Sequence, residues 1–517
     1  MANNQLDFVF PDKQGFAELI HSLRHGFSIR QSPAAVYYRT FYDTVDWLLR
    51  TAGSALELHD DGQSQKLYWR ANKDAPLRIQ LGLKQVPQLA KQLPAGEFRQ
   101  QLASVISVRE LNPRIQIKVK RIPLAVLNKN EKVVVRINLD ENWFYPVKTR
   151  AGMLLGKRIC VKAVKGYDEA FDQVEAFFHE MDLRPSQDNM MKLALAESKS
   201  STIEYSTKLK LLLDPEMPAE EALKAILLRL LEIMEQNTAG AIKGTDIEFM
   251  HDYRVSIRKT RSALTLIKRV FPKKTVKKYS KFFSGLGKLT NPVRDMDVFL
   301  LKLESYAEKL GKSKQEQLQP LRQYLQDNRD KAQQAYVDTV TSAEYRQVLK
   351  GWRDYLESTD PIEPPQKNSR KPVSQLANEL IWSTYQVALK EGNAITDETE
   401  AEALHELRKT CKKLRYLMEF FQSLYPAKKI LELINALKGL QDNLGDFNDY
   451  HVHMDILKGF NEAGTDEAAI KVSTKMISRL DKKQHATRNS FAERFRAFSS
   501  QENQNEFREL FVVSNDG

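Results

Sequence analysis

One stretch of the sequence occurs twice, and this duplication constrains the fold more than any other feature. The first copy contains His251 and the second contains His405, 154 positions later (405 − 251 = 154). The same offset relates further residues pair by pair, namely Pro272 to Pro426, Asp295 to Asp449 and Val298 to Val452. A constant offset over roughly fifty residues indicates an internal duplication, so two equivalent halves are expected in the fold.

Each copy has the spacing of a helix with one basic face. The basic residues recur at i, i+3, i+7 and i+10, as His251, Arg254, Arg258 and Arg261 in one copy and His405, Arg408, Lys412 and Arg415 in the other. These positions share one side of a helix with 3.6 residues per turn. The other side of the first copy is apolar, with Tyr253, Ile257, Leu264 and Ile267. The pattern predicts two helices that each bury an apolar stripe and present a cationic row.

Charge narrows the possible partners. The chain of 517 residues has a net charge of +12 and a pI near 9.2, and residues 251–281 contain eleven Lys/Arg but only one acid, Asp252. Such a chain favours polyanionic partners. Its two cysteines, Cys160 and Cys411, are too few for a disulfide framework or a zinc cluster. Neither a signal peptide nor a membrane span is found, so the cytoplasm is the expected location.

The chain is expected to divide into a mixed α and β part and a helical part. Residues 1–200 contain short β-prone runs at 6–10, 115–119, 133–139 and 158–164, and a helical pattern at 168–181. A Ser-rich linker is predicted at 198–206. The helical part is predicted over 207–497, with halves at about 207–357 and 372–497 that are separated by a proline-rich break. Residues 498–517 are predicted to be a polar, frayed tail.

The N-terminal part resembles the CYTH domain family over roughly residues 5–195. The similarity rests on residues 41–49 (FYDTVDWLL) with Gly53 and Ala55, and on later matches at residues 109–111, 118–121 and 166–168. The resemblance implies a triphosphate tunnel, an antiparallel β-barrel in which inward Lys/Arg side chains hold phosphates. In that family inward glutamates hold a divalent metal.

Departures from the CYTH pattern bear on the chemistry. The first strand offers only Asp7 and no lysine, Glu57 and His59 replace an expected arginine pair, and residues 158–165 (RICVKAVK) lack the late glutamates. A magnesium site needs oxygen ligands that carboxylates normally supply. We therefore predict no catalytic residue and no metal site. The candidates for residual phosphate binding are Lys118, Lys120, Arg121, Arg136, Lys162 and Lys192. Each of them could equally be a surface residue of a structural barrel.

The duplicated part resembles the CHAD family, the conserved-histidine α-helical domain, over about residues 207–495. The matching motifs are residues 246–255 (DIEFMHDYRV), 294–298 (RDMDV), 404–409 (LHELRK) and 440–445 (LQDNLG). The resemblance implies two four-helix bundles related by a pseudo-two-fold axis, with basic faces along a central cleft. It also implies binding of inorganic polyphosphate without catalysis. The predicted fold class is therefore α+β and multidomain, with an N-terminal antiparallel barrel and a C-terminal all-α domain.

The predicted ligand is inorganic polyphosphate, a linear polyanion that needs dense cations along a groove. The predicted phosphate-binding residues are His251, Arg254, Arg258, Lys259, Arg261, Lys268, Lys273, Lys274, His405, Arg408, Lys409, Lys412, Lys413, Arg415 and Lys428. No cofactor, metal or membrane partner is expected, and the expected setting is the polyphosphate granule with its other proteins. Two alternatives stay open: a CYTH-type triphosphate or polyphosphate hydrolase, and a nucleic-acid-binding protein, which charge alone suggests.

Overall fold

The computed structural model describes residues 5–70, 78–83, 87–145, 152–186, 190–197, 205–308, 315–396, 398–464 and 466–512. The chain divides into two compact units, Met1–Ser206 and Thr207–Gly517. Most of the predicted linker at 198–206 lies outside the described residues. No helix within the described ranges is both long enough and apolar enough to cross a membrane.

The N-terminal unit is built on one antiparallel sheet of nine strands. These are β1 (Gln5–Phe10), β2 (Ser28–Gln31), β3 (Ala35–Asp43), β4 (Ala55–Asp60), β5 (Gln65–Arg70), β6 (Arg78–Leu83), β7 (Asn112–Leu127), β8 (Val133–Phe144) and β9 (Met153–Ala163). Their order is β1-β9-β8-β7-β3-β4-β5-β6, with β2 beside β7. Because β1 and β6 end this order and do not pair in the described part, the sheet is open and does not close into the predicted barrel. The predicted α+β class, with an N-terminal antiparallel sheet and a helical C-terminal part, is confirmed.

The predicted strand positions are confirmed where alternation was clear. The runs at 6–10, 115–119 and 133–139 lie within β1, β7 and β8, and the run at 158–164 lies in β9 up to Ala163. The turn between β7 and β8 is fixed by the Asn128 side chain, which accepts hydrogen bonds from the backbone N–H of Asn130 and Lys132 at 2.9 and 3.0 Å. Asparagine favours this kind of local turn, so the hairpin follows from the sequence.

Among the described residues, five α-helices accompany the sheet, namely α1 (Phe16–Gly26), α2 (Leu48–Thr51), α3 (Glu97–Ile106), α4 (Asp168–Glu180) and α5 (Met190–Glu197). Side chains alternate between the two faces of a strand. On β8, Ile137 and Leu139 are buried in the core that also contains residues of α1 and α4. Asp140 and Asn142 point to the other face and line a cavity there. The pleat therefore places polar side chains in the cavity and apolar ones beneath the helices.

The described part of the second unit consists of helices and the loops that connect them. Its helices are α6 (Ala219–Lys243), α7 (Ile247–Leu266), α8 (Lys273–Glu308), α9 (Gln319–Val340), α10 (Ala343–Glu357), α11 (Val373–Asn393), α12 (Ala401–Phe421), α13 (Ala427–Ala463), α14 (Glu467–Asn489), α15 (Phe491–Phe498) and α16 (Gln501–Phe511). Helices α11, α12 and α13 each begin 154 residues after α6, α7 and α8, respectively (373 − 219, 401 − 247 and 427 − 273). The duplication in the sequence is thus a duplication of helices.

A reciprocal pair of hydrogen bonds joins the two halves. The backbone N–H of Ala219 donates to the carbonyl of Lys371, and the N–H of Val373 donates to the carbonyl of Met217, both at 2.9 Å. The offset of 154 exchanges Ala219 with Val373 and Met217 with Lys371, so each bond is the copy of the other. Such self-complementary pairing is the mark of a two-fold relation.

One hydrophobic core is shared by both halves. It combines side chains of α8, α9, α13 and α14, among them Phe299, Leu303, Leu321, Leu325, Leu457, Phe460, Val472 and Met476. All eight are at most 4% exposed. The halves therefore do not form two separate bundles at this point, because each supplies two helices to a common four-helix core.

The predicted frayed tail after residue 497 is corrected by α16. Phe507 is fully buried and stacks on Tyr385 of α11, with ring centroids 3.7 Å apart, and Phe511 is 3% exposed. These two phenylalanines are four residues apart, so they lie on one face of the helix. Their burial anchors a segment whose other residues are polar, while residues 513–517 lie outside the described chain.

Candidate functional site

Helices α7 and α12 carry the duplicated basic rows and pack against each other. The predicted apolar stripe of α7 is confirmed, because Tyr253, Ile257, Leu264 and Ile267 are each at most 3% exposed. With that side in the core, the basic row points away from it. Residues His251, Arg254 and Arg258 are half-buried, whereas Arg261 is exposed.

Tyr416 of α12 is the point at which the two rows meet. The Nε atom of Arg258 donates a hydrogen bond to the Tyr416 hydroxyl. The Tyr416 ring centre lies 5.8 Å from the Arg258 guanidinium, 6.0 Å from the Lys259 amine and 5.6 Å from the Arg415 guanidinium. Cations are attracted to an aromatic face at such distances. One ring thus holds cations of both halves together.

We call five residues the central cation cluster: Arg254, Arg258, Arg408, Lys412 and Arg415. Arg254 is positioned by Thr290 of α8, whose hydroxyl accepts its hydrogen bond at 3.0 Å. The Nε atom of Arg408 is buried and has no hydrogen-bond partner among the described residues. All five side chains are half-buried. The cluster therefore gathers positive charge in a place that is only partly open to water.

The pKa values show how poorly this charge is compensated. Burial, together with Arg258, Arg408 and Arg415, lowers the pKa of Lys412 from its ordinary 10.5 to about 6. Burial and the charges of Arg258 and Arg294 lower the pKa of Arg254 from 12.5 to about 10, although Asp295 opposes them. Desolvation and like charges both disfavour a cation. A bound anion would relieve both effects.

Three acids approach the cluster. Asp295 and Asp449 are equivalent under the duplication, and Asp449 also forms an ion pair with Lys302 at 3.1 Å. Glu419 lies 2.7 Å from the Lys259 amine and 3.4 Å from Nε of Arg415. Five basic side chains face three acids, and two of these acids are also paired with cations outside the cluster, Asp449 with Lys302 and Glu419 with Lys259, so the site keeps a net positive charge.

The remaining predicted residues lie outside this cluster. The exposed ones are Arg261, Lys268, Lys273, Lys274, Lys409, Lys413 and Lys428. Lys409 is paired with Glu406 at 2.7 Å, and Lys259 is paired with Glu419. Within the predicted set, the structure thus separates a central group from cations that are spread over the helix surfaces.

His251 and His405 occupy equivalent positions on α7 and α12. Burial and then the charge of Arg294 lower the pKa of His251 to about 4, so its imidazole is neutral at pH 7. His405 is half-buried on the equivalent helix. Neutral His251 can donate one hydrogen bond and accept another, but it adds no charge to the row.

Some functional residues were not predicted. Tyr416 is 1% exposed, as a core residue would be, yet its hydroxyl also positions Arg258. Glu419 was missed, because its equivalent in the first copy is Thr265 and the duplication gives no signal for it. Asp297, two residues after Asp295, pairs with Arg329 at 3.1 Å.

The N-terminal unit has a cavity of about 510 Å³ on the inner face of its sheet. The charged residues that line it are Asp7, Arg39, Glu57, Arg70, Arg121, Asp140, Arg158 and Lys162. Of the candidates for residual phosphate affinity, Arg121 and Lys162 are among the lining residues. Lys118, Lys120, Arg136 and Lys192 are not among them. On β7, Lys118 and Lys120 alternate with the inward-facing Ile117 and Val119, so they belong to the other face.

Two of the three carboxylates that line this cavity, Glu57 and Asp140, are paired with cations. Glu57 contacts Arg70 at 2.7 Å, Arg39 at 2.8 Å and His59 at 3.1 Å. Although burial opposes it, the charge of Arg39 holds the pKa of Glu57 well below its usual range. Asp140 accepts two hydrogen bonds from Arg121, at 2.7 and 2.6 Å. Within the described ranges, no group of three or more His, Cys, Asp and Glu residues could hold a metal ion.

The helical unit is similar to a known domain family. Residues 225–458 match the CHAD domain family. The chain contains a CHAD domain. A solved CHAD domain from the plant Ricinus communis is 22% identical and covers 59% of this chain and 95% of its own, with a TM-score of 0.42. The protein PptA from Streptomyces chartreusis is 12% identical and covers 54% of this chain and 100% of its own, also with a TM-score of 0.42.

A third solved structure is similar to a smaller share of the chain. This adenylyl cyclase candidate from Hippeastrum, with a dominant triphosphatase activity, is 11% identical and covers 38% of this chain and 97% of its own, with a TM-score of 0.28. Among curated proteins, none matches the sequence. The N-terminal unit itself has the antiparallel sheet with inward basic side chains that the CYTH resemblance implies.

Proposed function

We propose that the CHAD domain binds inorganic polyphosphate without chemically altering it, and that the protein acts at polyphosphate granules in the cytoplasm. The observation that carries this proposal is the central cation cluster, in which two duplicated helices bring five cations together. Arginine forks suit phosphate oxygens, and lysine adds a point charge. The CHAD resemblance implies the same ligand.

The aromatic residues beside the cluster favour polyphosphate over a nucleic acid. Single-stranded nucleic acids are held largely by bases that stack on exposed aromatic rings. Here Tyr416 is 1% exposed and Tyr253 is fully buried, so neither ring can receive a base. Polyphosphate has no bases, and a site made only of cations is sufficient for it.

The test is a titration of the full-length protein with long-chain polyphosphate at two salt concentrations. Tight binding that weakens with salt is expected, because cations that neutralise phosphates release counterions. The variant R254Q/R258Q/R408Q/K412Q should lose at least tenfold in affinity. The slope of its log affinity against log salt concentration should be smaller than that of the wild type by roughly three. Circular dichroism checks that the variant keeps its helices.

A matched control removes the same amount of charge elsewhere. Lys471, Lys475, Arg479 and Lys482 form an exposed row on α14, and their replacement by glutamine should change affinity less than threefold. Equal losses in the two variants would mean that net charge alone drives binding and would overturn the site. Displacement of polyphosphate by duplex DNA at equal charge concentration would instead favour a nucleic-acid ligand.

A second candidate function is hydrolysis of short phosphate chains in the N-terminal cavity. It is favoured by the five cations that line the cavity, Arg39, Arg70, Arg121, Arg158 and Lys162. It is opposed by the ion pairs of Glu57 and Asp140, because carboxylates that are bound to arginine are not available to a metal. Phosphate release from tripolyphosphate with Mg²⁺ or Mn²⁺ that disappears in R121Q would establish the hydrolase.

A further inference from the structure

Lys412 occupies an unusual place in the central cation cluster. It lies on the same face of α12 as Arg408 and Arg415, one turn away from each. Within the described part of the chain, no hydrogen bond or ion pair of Lys412 is found. Its equivalent in the first copy is Arg258, which donates a hydrogen bond to Tyr416. At equivalent positions of the two copies, Arg258 therefore has a hydrogen-bond partner, whereas none is found for Lys412 among the described residues.

The groups that face Lys412 come from three helices. Arg408 and Arg415 act from α12 itself and Arg258 acts from α7, all three with the same sign of charge. Asp449 of α13 opposes them, but its carboxylate also pairs with Lys302 at 3.1 Å. The side chain is half-buried as well, and together these effects bring its pKa to about 6. At pH 7.5 the amine is therefore mostly uncharged.

We propose that the central cation cluster takes up one proton when it binds a phosphate chain, with the Lys412 amine as the acceptor. This inference rests on the proposed function and adds its regulation by pH. The proton comes from the solvent, the amine becomes an ammonium ion, and no covalent bond to the ligand forms. Arginine could not serve in this role, because it stays protonated in proteins.

The physical reason is that the ligand reverses the local field. The negative phosphate oxygens offset the repulsion that the three guanidinium groups exert on a protonated Lys412, so its ammonium form becomes favourable. Above pH 6 each bound ligand then brings one proton with it, and the dissociation constant rises by up to about tenfold per pH unit. The affinity for the phosphate chain therefore rises as the pH falls and falls as the pH rises.

The experiment measures the polyphosphate dissociation constant of the full-length protein at pH 6, 7 and 8, at constant ionic strength. The dissociation constant of the wild type should rise about tenfold between pH 7 and pH 8. K412R carries a permanent charge and should lose this dependence while binding more tightly than wild type at pH 8. K475R alters an exposed lysine of α14 and should follow the wild type.

Calorimetry in two buffers of different ionisation enthalpy counts the protons directly. An uptake approaching one proton per site is expected for the wild type at pH 7.5, and K412R should lose it. A pH-independent wild type, or an unchanged pH dependence in K412R, would overturn proton uptake and leave polyphosphate binding intact. Failure of the wild type to bind at any pH would overturn the proposed function itself.

A different observation, on α1 of the N-terminal unit, supports a second inference. His21 and His25 are both exposed and one turn apart, and a hydrogen bond of 3.0 Å joins their Nε2 atoms in the metal-free structure. The opposite side of α1 is anchored in the core by Leu19, Ile20 and Leu23. Two histidines at i and i+4 on a helix are a known arrangement for binding one metal ion.

The distance between the nitrogens discriminates between metals. Two bonds of about 2.0–2.1 Å to nitrogens at this separation meet at roughly 90–97°, near the right angle of square-planar and tetragonal ions. The tetrahedral angle that zinc prefers requires a wider separation. We infer that His21 and His25 bind Cu²⁺ through Nε2, with water completing the shell.

The test titrates the full-length protein with CuCl₂ and ZnCl₂ in a buffer that does not coordinate metals. One Cu²⁺ should bind with an electron paramagnetic resonance signal of two nitrogens, at least tenfold more tightly than Zn²⁺. H21N and H25N should each lose at least tenfold in Cu²⁺ affinity, and H485N, at another exposed histidine, should not. Equal affinities for the two metals, or an unchanged H21N/H25N variant, would overturn this site.

Discussion

His453 on α13 is expected to make the helical unit sensitive to acid. It is 2% exposed, and its ring stacks on Phe299 with centroids 4.7 Å apart. Burial and then the charge of Lys302 lower its pKa from the ordinary 6.5 to about 4. The folded protein therefore holds a neutral imidazole in a place where the protonated form would be costly.

The sign and size of the effect follow from proton linkage. The unfolded chain binds a proton below pH 6.5, whereas the folded chain does so only near pH 4. Stability from this group is therefore complete above pH 6.5 and is lost as the pH falls towards 4. Between pH 7.5 and pH 5 the loss in free energy of unfolding is about 2 kcal/mol, and it approaches about 3 kcal/mol below pH 4.

The assay is urea unfolding of the wild type and H453Q between pH 7.5 and pH 4.5, with H451Q as control. H453Q loses packing at every pH, so the quantity compared is the change in unfolding free energy with pH. That change should be about 2 kcal/mol smaller in H453Q at pH 5 than in wild type. His451 is exposed, and H451Q should follow the wild type. Identical pH profiles for wild type and H453Q would refute the reasoning.

Three further predictions concern other contacts. E419Q frees the Lys259 amine from a 2.7 Å ion pair, so polyphosphate titration should show about two- to tenfold tighter binding. E57Q leaves the half-buried Arg39 without its carboxylate; thermal unfolding should show a loss of about 3–5 kcal/mol in the free energy of unfolding, partly restored by tripolyphosphate. F507A removes the ring that stacks on Tyr385, and urea unfolding should show a loss of about 3–5 kcal/mol. An unchanged affinity or stability would contradict the respective contact.

The duplicated rows were predictable because helical spacing is local. The offset of 154 residues gave the helix pairs, and the apolar stripe of α7 gave its buried side. What local spacing cannot show is which helix faces which. The contact of Arg258 with Tyr416 joins residues 158 positions apart, and it depends on how two helices pack. The half-burial of Lys412, and hence its lowered pKa, is a consequence of that packing.

The errors have identifiable physical causes. The polar composition after residue 497 hid Phe507 and Phe511, whose helical spacing and burial hold α16 in place. Glu57 was interpreted as the loss of a phosphate-binding cation. In the structure its carboxylate is also the anchor that binds Arg39 and Arg70, and cross-strand pairing of this kind depends on register. The register was not accessible from the sequence of short, half-buried strands.

The duplication and its exceptions together suggest why the proposed ligand suits this site. A phosphate chain reads the same in both directions, so two rows related by a two-fold axis present equivalent charge to it in either orientation. The exceptions lie in the second copy, where Lys412, Tyr416 and Glu419 replace Arg258, Ser262 and Thr265. The first copy thus supplies a permanent charge at the central position. The second supplies a charge that pH can change and an acid that competes with the ligand. Symmetry provides the binding surface, and its local loss provides the means to adjust affinity.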